Sequence, residues 1–242
     1  MKMTTAINRY QVWDRTTRIF HWVNAICVIL LMLLGTLILN HEWMGIESEV
    51  NLKRIHSWVG YIFFLNLAWR LTWGFIGGHY ARWRQLLPAG PKETMAYVKS
   101  LFSGKPKQYL GHNPLGRLII TVFLLLLSIQ AVTGLIIAGT DLYQPPFGSY
   151  FANWVTDGDP ARLAELKPGD RGATVESSYT EMRAFRSPIV RTHEYNFYIL
   201  ALLVFVHIAG VIYGELREKN GLISAMITGE KVLDDVPVDG KK

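Results

Sequence analysis

Three features of the sequence predict an all-α integral membrane protein, a bundle of four spanning helices with a long extracytoplasmic loop between the third and fourth. Half of the 242 residues are hydrophobic. The apolar residues are gathered into four runs, about 19–39, 55–76, 115–138 and 188–213. Each run exceeds the roughly 20 helical residues that cross a hydrocarbon core. Lys and Arg then fall unevenly on the two sides of those runs. With an even number of spans, sixteen lie with the termini and the 2–3 loop, and eight with the other two loops. By the positive-inside rule both termini are cytoplasmic. The +6 balance therefore reads as a topology signal, with no nucleic-acid partner.

The first run is expected to stay in the mature protein, since it is longer than a signal-peptide core and no small-residue cleavage site follows it. It contains Cys27, the single cysteine, so there is no disulfide framework and no C-x-x-C-H for covalent c-type haem. Asn51 is placed to cap the second run. "PKETMAYVKSLFSG" in the 2–3 loop reads as a short surface helix ended by Gly104. "HNPLGR" offers Asn113 as N-cap and Pro114 as first helical residue, and "RSPIVR" offers Ser187 and Pro188 in the same way. Trp13, Trp22, Trp43, Trp58, Trp73 and Trp83 fall near span ends, as in an interfacial aromatic belt. The outer loop, 139–187, has an aromatic-rich first half, "YQPPFGSYFANW", that suggests a folded cap and docking surface; a variable loop without a role is the alternative. Residues 10–231 read as one membrane domain and 232–242 as a cytoplasmic tail.

Seven histidines carry the functional signal. His41, His79 and His112 fall in loops or at interfaces and read as solvated or headgroup-facing side chains. His21, His56, His193 and His207 lie inside or at the mouths of spans, where an ionisable group is expensive and is by default functional. His193 and His207 are 14 residues apart, so one helix presents both on nearly one face, about 21 Å apart along the axis. The alternating direction of the helices puts His21 and His207 at the cytoplasmic level and His56 and His193 at the outer level. Two imidazoles facing each other across a bundle suit the axial positions of haem iron. A zinc site would want four ligands at one level, and a proton relay would want buried carboxylates that the spans lack.

Helical arithmetic adds supporting residues. Gly35 is 14 residues after His21 and falls at the outer level, while Gly74 is 18 after His56 and falls at the cytoplasmic level. Each is a candidate gap for a flat macrocycle, with ordinary small-residue helix packing as the alternative. Arg70 faces inward at the cytoplasmic end of the second helix, where it would meet a haem propionate or a quinone oxygen, or snorkel to headgroups. Arg18, Arg54 and Arg191 are further propionate candidates, or interfacial anchors.

"VWDRTTRIFHW", "KRIHSWVGY", "RLTWGF", "RTHEYNFYILALLVFVHIAGVI" and "GLISAMITG" resemble the bacterial di-haem cytochrome b family. That family includes the b-type cytochrome subunits of nickel-iron hydrogenases and small four-helix quinone-linked cytochromes b. The resemblance runs from about Tyr10 to Lys231. It implies that His21, His56, His193 and His207 ligate two non-covalent b haems, with quinone exchange at one face of the bacterial inner membrane. It also implies an extracytoplasmic redox partner, such as a cytochrome c or a hydrogenase or dehydrogenase module. The expected role is that of an electron-transfer subunit of an oxidoreductase, in contact with membrane lipid and quinone. An autonomous superoxide:quinone oxidoreductase would use the same scaffold, and a haem-free transporter or sensor is the rival from another class.

Overall fold

The computed structural model describes residues 8–46, 48–103, 107–218, 221–233 and 236–240. Gly104, and Lys2, Lys105, Lys219, Lys241 and Lys242 of the charge count, lie outside these residues. In chain order the elements are β1 (Asn8–Gln11), α1 (Arg15–Leu39), α2 (Glu49–Ile76), a 3-10 turn (His79–Ala81), α3 (Trp83–Leu86) and α4 (Pro91–Phe102). They continue with α5 (Pro114–Leu142), α6 (Gly148–Thr156), α7 (Pro160–Glu165), α8 (Glu176–Glu218), α9 (Leu222–Thr228) and β2 (Glu230–Leu233).

Four of these, α1, α2, α5 and α8, are long and apolar enough to span a membrane. Their apolar side chains are largely uncovered: Leu65 is 67% exposed, Phe75 74% and Phe205 70%. In water such surface would be strongly unfavourable, whereas in lipid it is the solvated face. The chain is an integral membrane protein.

Helix starts follow local chemistry. The Asp14 carboxylate accepts the Thr17 N–H at 2.7 Å and opens α1. Asn113 accepts the Gly116 N–H at 2.8 Å and Pro114 begins α5, as its sequence suggests. Two expectations need correction. Asn51 lies inside α2, and the Ser48 hydroxyl instead accepts the Asn51 N–H at 3.4 Å. Pro188 lies inside α8, which begins twelve residues before it at Glu176. Proline removes one backbone bond to the carbonyl four residues earlier, but tertiary packing outweighs that loss. Met182, upstream of the proline, is buried against Phe151 and Val155 of α6.

The chain divides into two compact units: Met1–Val23 with Asn66–Leu125 and Leu202–Lys242, and Asn24–Leu65 with Leu126–Ala201. Each draws on all four long helices. In the first unit β1 pairs antiparallel with β2, matching Asn8 with Leu233 and Gln11 with Glu230. Val12, Trp13, Leu110, Ala225 and Leu233 form its buried cluster. Trp13 is therefore a core residue, 4% exposed, and not part of an aromatic belt. Gly229 makes this closure possible. Its φ of +90° suits glycine, its carbonyl accepts the Val12 and Trp13 N–H groups at 2.9 and 3.1 Å, and a Cβ there would meet the Trp13 carbonyl at 2.7 Å. In the second unit Phe151, Val155 and Met182 form the corresponding core, so the aromatic half of the 139–187 segment is folded.

Lys231 is buried in the first unit, with Nζ donating to the Tyr109 and Gly111 carbonyls at 3.1 and 2.9 Å. Burial pushes its pKa down to about 8, partly opposed by Glu218 and Asp239. Between pH 8 and the ordinary lysine value the unfolded chain binds more protons, so stability rises with pH across that interval. Burial pushes the Tyr80, Tyr97 and Tyr109 phenols upward, so their contribution falls as pH passes about 10, the usual tyrosine value. The melting temperature of the detergent-solubilised chain is expected to rise from pH 8 to about 10, and the rise to flatten in Lys231→Met. An identical profile for the variant would show that Lys231 does not carry the effect.

Candidate haem site

The four span histidines separate by unit. His21 and His207 belong to the first, and His56 and His193 to the second.

In the second unit the rings of His56 (α2) and His193 (α8) meet edge to face, with centroids 6.4 Å apart and planes at 69°. They border a cavity of about 620 Å3, walled by Gly35, Gly60, Gly134, Lys53 and Arg186 among others. That volume lies within the roughly 300–1,000 Å3 typical of ligand pockets. A Cβ on Gly35 would stand 3.7 Å from His56 Cε1, and one on Gly134 only 3.2 Å from His193 Cε1. The two glycines thus leave room beside the two imidazoles. Thr133 Oγ1 lies 2.8 Å from His193 Nδ1, and the Gln130 amide nitrogen 3.0 Å from His193 Nε2. His56 Nδ1 has no hydrogen-bond partner among the described residues.

The wall also carries charge, and Asp141 of α5 and Glu194 of α8 border it, against the expectation that the spans lack such carboxylates. Asp141 joins Arg186 at 2.5 Å and Lys53 at 3.1 Å, and Lys53 reaches Glu49 at 2.8 Å. His41 lines the same cavity, with Nδ1 2.9 Å from the Ile38 carbonyl. Arg54 and Arg191 are exposed and do not border the cavity, which instead has Lys53 and Arg186. Each lies on the same helix as the arginine inferred from sequence, one and five residues away.

In the first unit His21 (α1) and His207 (α8) are close enough to interact electrostatically, and the His207 ring packs edge-on against Phe123 at 5.5 Å. His21 Nδ1 has no hydrogen-bond partner among the described residues. Arg70 is buried, 4% exposed; it donates to the Ala81 carbonyl at 3.2 Å and lies over the Phe20 ring. Arg18 donates from Nη1 to the Ile227 carbonyl of α9, and Trp22 donates to Met226 beside it at 2.9 Å. Gly74 is covered by the Trp83 indole, which a Cβ there would strike. His112 departs from the solvated loop residue that its position suggests. It packs on Trp13 at 4.5 Å, and burial together with Lys231, Arg70 and Arg117 pushes its pKa down to about 3, so it is neutral at pH 7.

Metal–imidazole bonds are about 2.0–2.1 Å, so two rings on opposite sides of one metal have centroids about 6 Å apart. The observed 6.4 Å meets that requirement. Among the described residues no three His, Cys, Asp or Glu side chains gather as a metal site. A donor set of two imidazoles suits a metal that arrives with its remaining ligands, as haem iron does. The residues fit b-type haem.

The sequence reading missed Gln130, Thr133, Gly134 and Asn196. The detectable signal was polarity: Gln130, Thr133 and Asn196 interrupt apolar spans, where a polar side chain asks for a partner.

Four spanning helices with paired imidazoles among them suit a membrane cytochrome with b-type haem. The chain belongs to the prokaryotic cytochrome b561 family, whose model matches residues 12–229. As a cytochrome b it serves membrane electron transfer with b-type haem. It is similar to three proteins named "Probable Ni/Fe-hydrogenase B-type cytochrome subunit". The one from Bradyrhizobium diazoefficiens is 26% identical, covering 93% of this chain and 86% of the relative. The one from Azotobacter vinelandii is 24% identical, covering 93% and 89%. The one from Cupriavidus necator is 21% identical, covering 95% and 90%. No solved structure matches the chain.

Proposed function

We propose that the chain carries two b haems, one between His21 and His207 and one between His56 and His193. In this reading it passes electrons between an extracytoplasmic redox partner and the quinone pool of the bacterial inner membrane. The observation that carries it is the sorting of four span histidines two by two into the two units, with the His56 and His193 rings 6.4 Å apart at the border of a cavity. Haem b, when bound, would supply a one-electron iron couple.

The chain's own residues do the rest. His56 and His193 would hold the haem iron, and Gly35 and Gly134 keep the adjoining space free of side chains. Lys53 and Arg186, joined through Asp141, are the cations that would meet haem carboxylates in the second unit. Arg70, buried beside Phe20, is the corresponding cation in the first. The Lys and Arg distribution favours cytoplasmic termini, which sets His21 and His207 on the cytoplasmic side. The folded segment containing α6 and α7 then faces outward, with Tyr150 63% exposed as a contact for a partner. The relatives' names make a nickel-iron hydrogenase module the first partner to test.

The haem-to-protein ratio of the purified chain, followed by re-oxidation of the reduced protein with a soluble quinone analogue, tests the reading. Two b haems per chain and prompt re-oxidation are expected. A folded chain without haem would overturn it.

A further inference from the structure

The hydrogen bonds around His193 determine which of its two ring nitrogens carries the proton. The chain of donors starts at a group that can only accept, the Leu126 backbone carbonyl. Asn196 Nδ2 donates to it at 2.9 Å and donates its second hydrogen to Gln130 Oε1 at 2.6 Å. The Gln130 amide is thereby oriented with its nitrogen toward His193 Nε2, 3.0 Å away. An amide nitrogen only donates, so Nε2 accepts and bears the lone pair. The proton of the neutral imidazole is then on Nδ1. Its partner is Thr133 Oγ1 at 2.8 Å, whose own hydrogen goes to the Ile129 carbonyl at 2.7 Å, leaving the oxygen free to accept. Both ends of the chain are backbone carbonyls of α5, which do not reorient. Asn196 is 4% exposed, so water does not compete for that end.

We infer that Thr133 is a positioning residue that holds His193 with its proton on Nδ1 and its lone pair on Nε2. Gln130 donates to that lone pair. Nε2 is then the nitrogen that would hold iron, and Nδ1 the one that would keep its bond to Thr133. His56 has no such anchor on Nδ1 among the described residues, so the two ligands of this site are unequal. The inference rests on the two-haem reading. A hydrogen bond from the distal N–H of a ligating imidazole fixes its orientation and raises its basicity, and its loss typically weakens binding 10–100-fold.

Haem titration of the apo chain in detergent, with potentiometry of the loaded protein, tests this in Thr133→Val and Thr133→Ser. Valine keeps the shape and removes the acceptor; serine keeps the acceptor. In Thr133→Val one of two binding phases is expected to weaken about 10–100-fold. The potential of that haem is expected to rise, because a less basic imidazole supports ferric iron less well. A tenfold change in the ferric-to-ferrous affinity ratio corresponds to about 59 mV. Thr133→Ser should keep the wild-type values, and the undisturbed haem of the first unit reports that the variants are folded. Wild-type affinity and potential in Thr133→Val would overturn the inference, as would a serine variant that behaves like valine. A wild-type chain taking up no second haem would instead remove the reading on which it rests.

Discussion

His207→Ala is expected to lose one of two b haems and keep the other. The imidazole removed is one of the two span histidines of the first unit, and His21 alone offers a single axial nitrogen. His56 and His193, with their cavity, belong wholly to the second unit and should be untouched. The haem-to-protein ratio should fall from two to one, with the reduced-minus-oxidised spectrum losing one component. His193→Ala should remove the complementary component. Two haems retained in His207→Ala would break the pairing of His21 with His207, and loss of both would mean that the units do not load independently.

Gly134→Leu should have a comparable effect on the other haem. A Cβ at this position already stands 3.2 Å from His193 Cε1, tighter than ordinary van der Waals contact. Three further carbons have only the ring position or the cavity to occupy. Overpacking of this kind costs about 1–3 kcal/mol where the surroundings can shift. Here the shift falls on the imidazole itself, which is held by Thr133 at 2.8 Å. The expected chain is folded, loaded at His21 and His207, and deficient in the second haem. Gly134→Ala should lie between, since its neighbour need move only a few tenths of an ångström. Full haem content in Gly134→Leu would show that this face of α5 is not part of the binding space.

Much of this was legible in the chain. Four apolar runs gave four helices of spanning length, and Asn113 and Pro114 opened α5 as their chemistry requires. The histidine arithmetic grouped His21 with His207 and His56 with His193, and the two units divide them in the same way. The helices and their starts rest on properties internal to one helix: its length and its caps. The helical period is 3.6 residues whatever lies opposite.

Other features were not legible, because each depends on which side chain arrives from elsewhere in the chain. Gly35 and Gly74 looked alike as gaps, yet Gly35 borders the cavity while Trp83 covers Gly74. Lys53 and Arg186 reach the cavity wall because Asp141 of α5 joins them, whereas Arg54 and Arg191 are exposed. Pro188 reads locally as a helix start, but α8 begins at Glu176 and buries Met182 against α6. His112 reads as a loop residue and is packed on Trp13, itself a core residue and no interfacial anchor. A helix's sequence specifies which of its faces is apolar or polar. The neighbour that packs on that face is chosen by contacts between residues far apart in the chain, and those contacts exist only once the fold has formed.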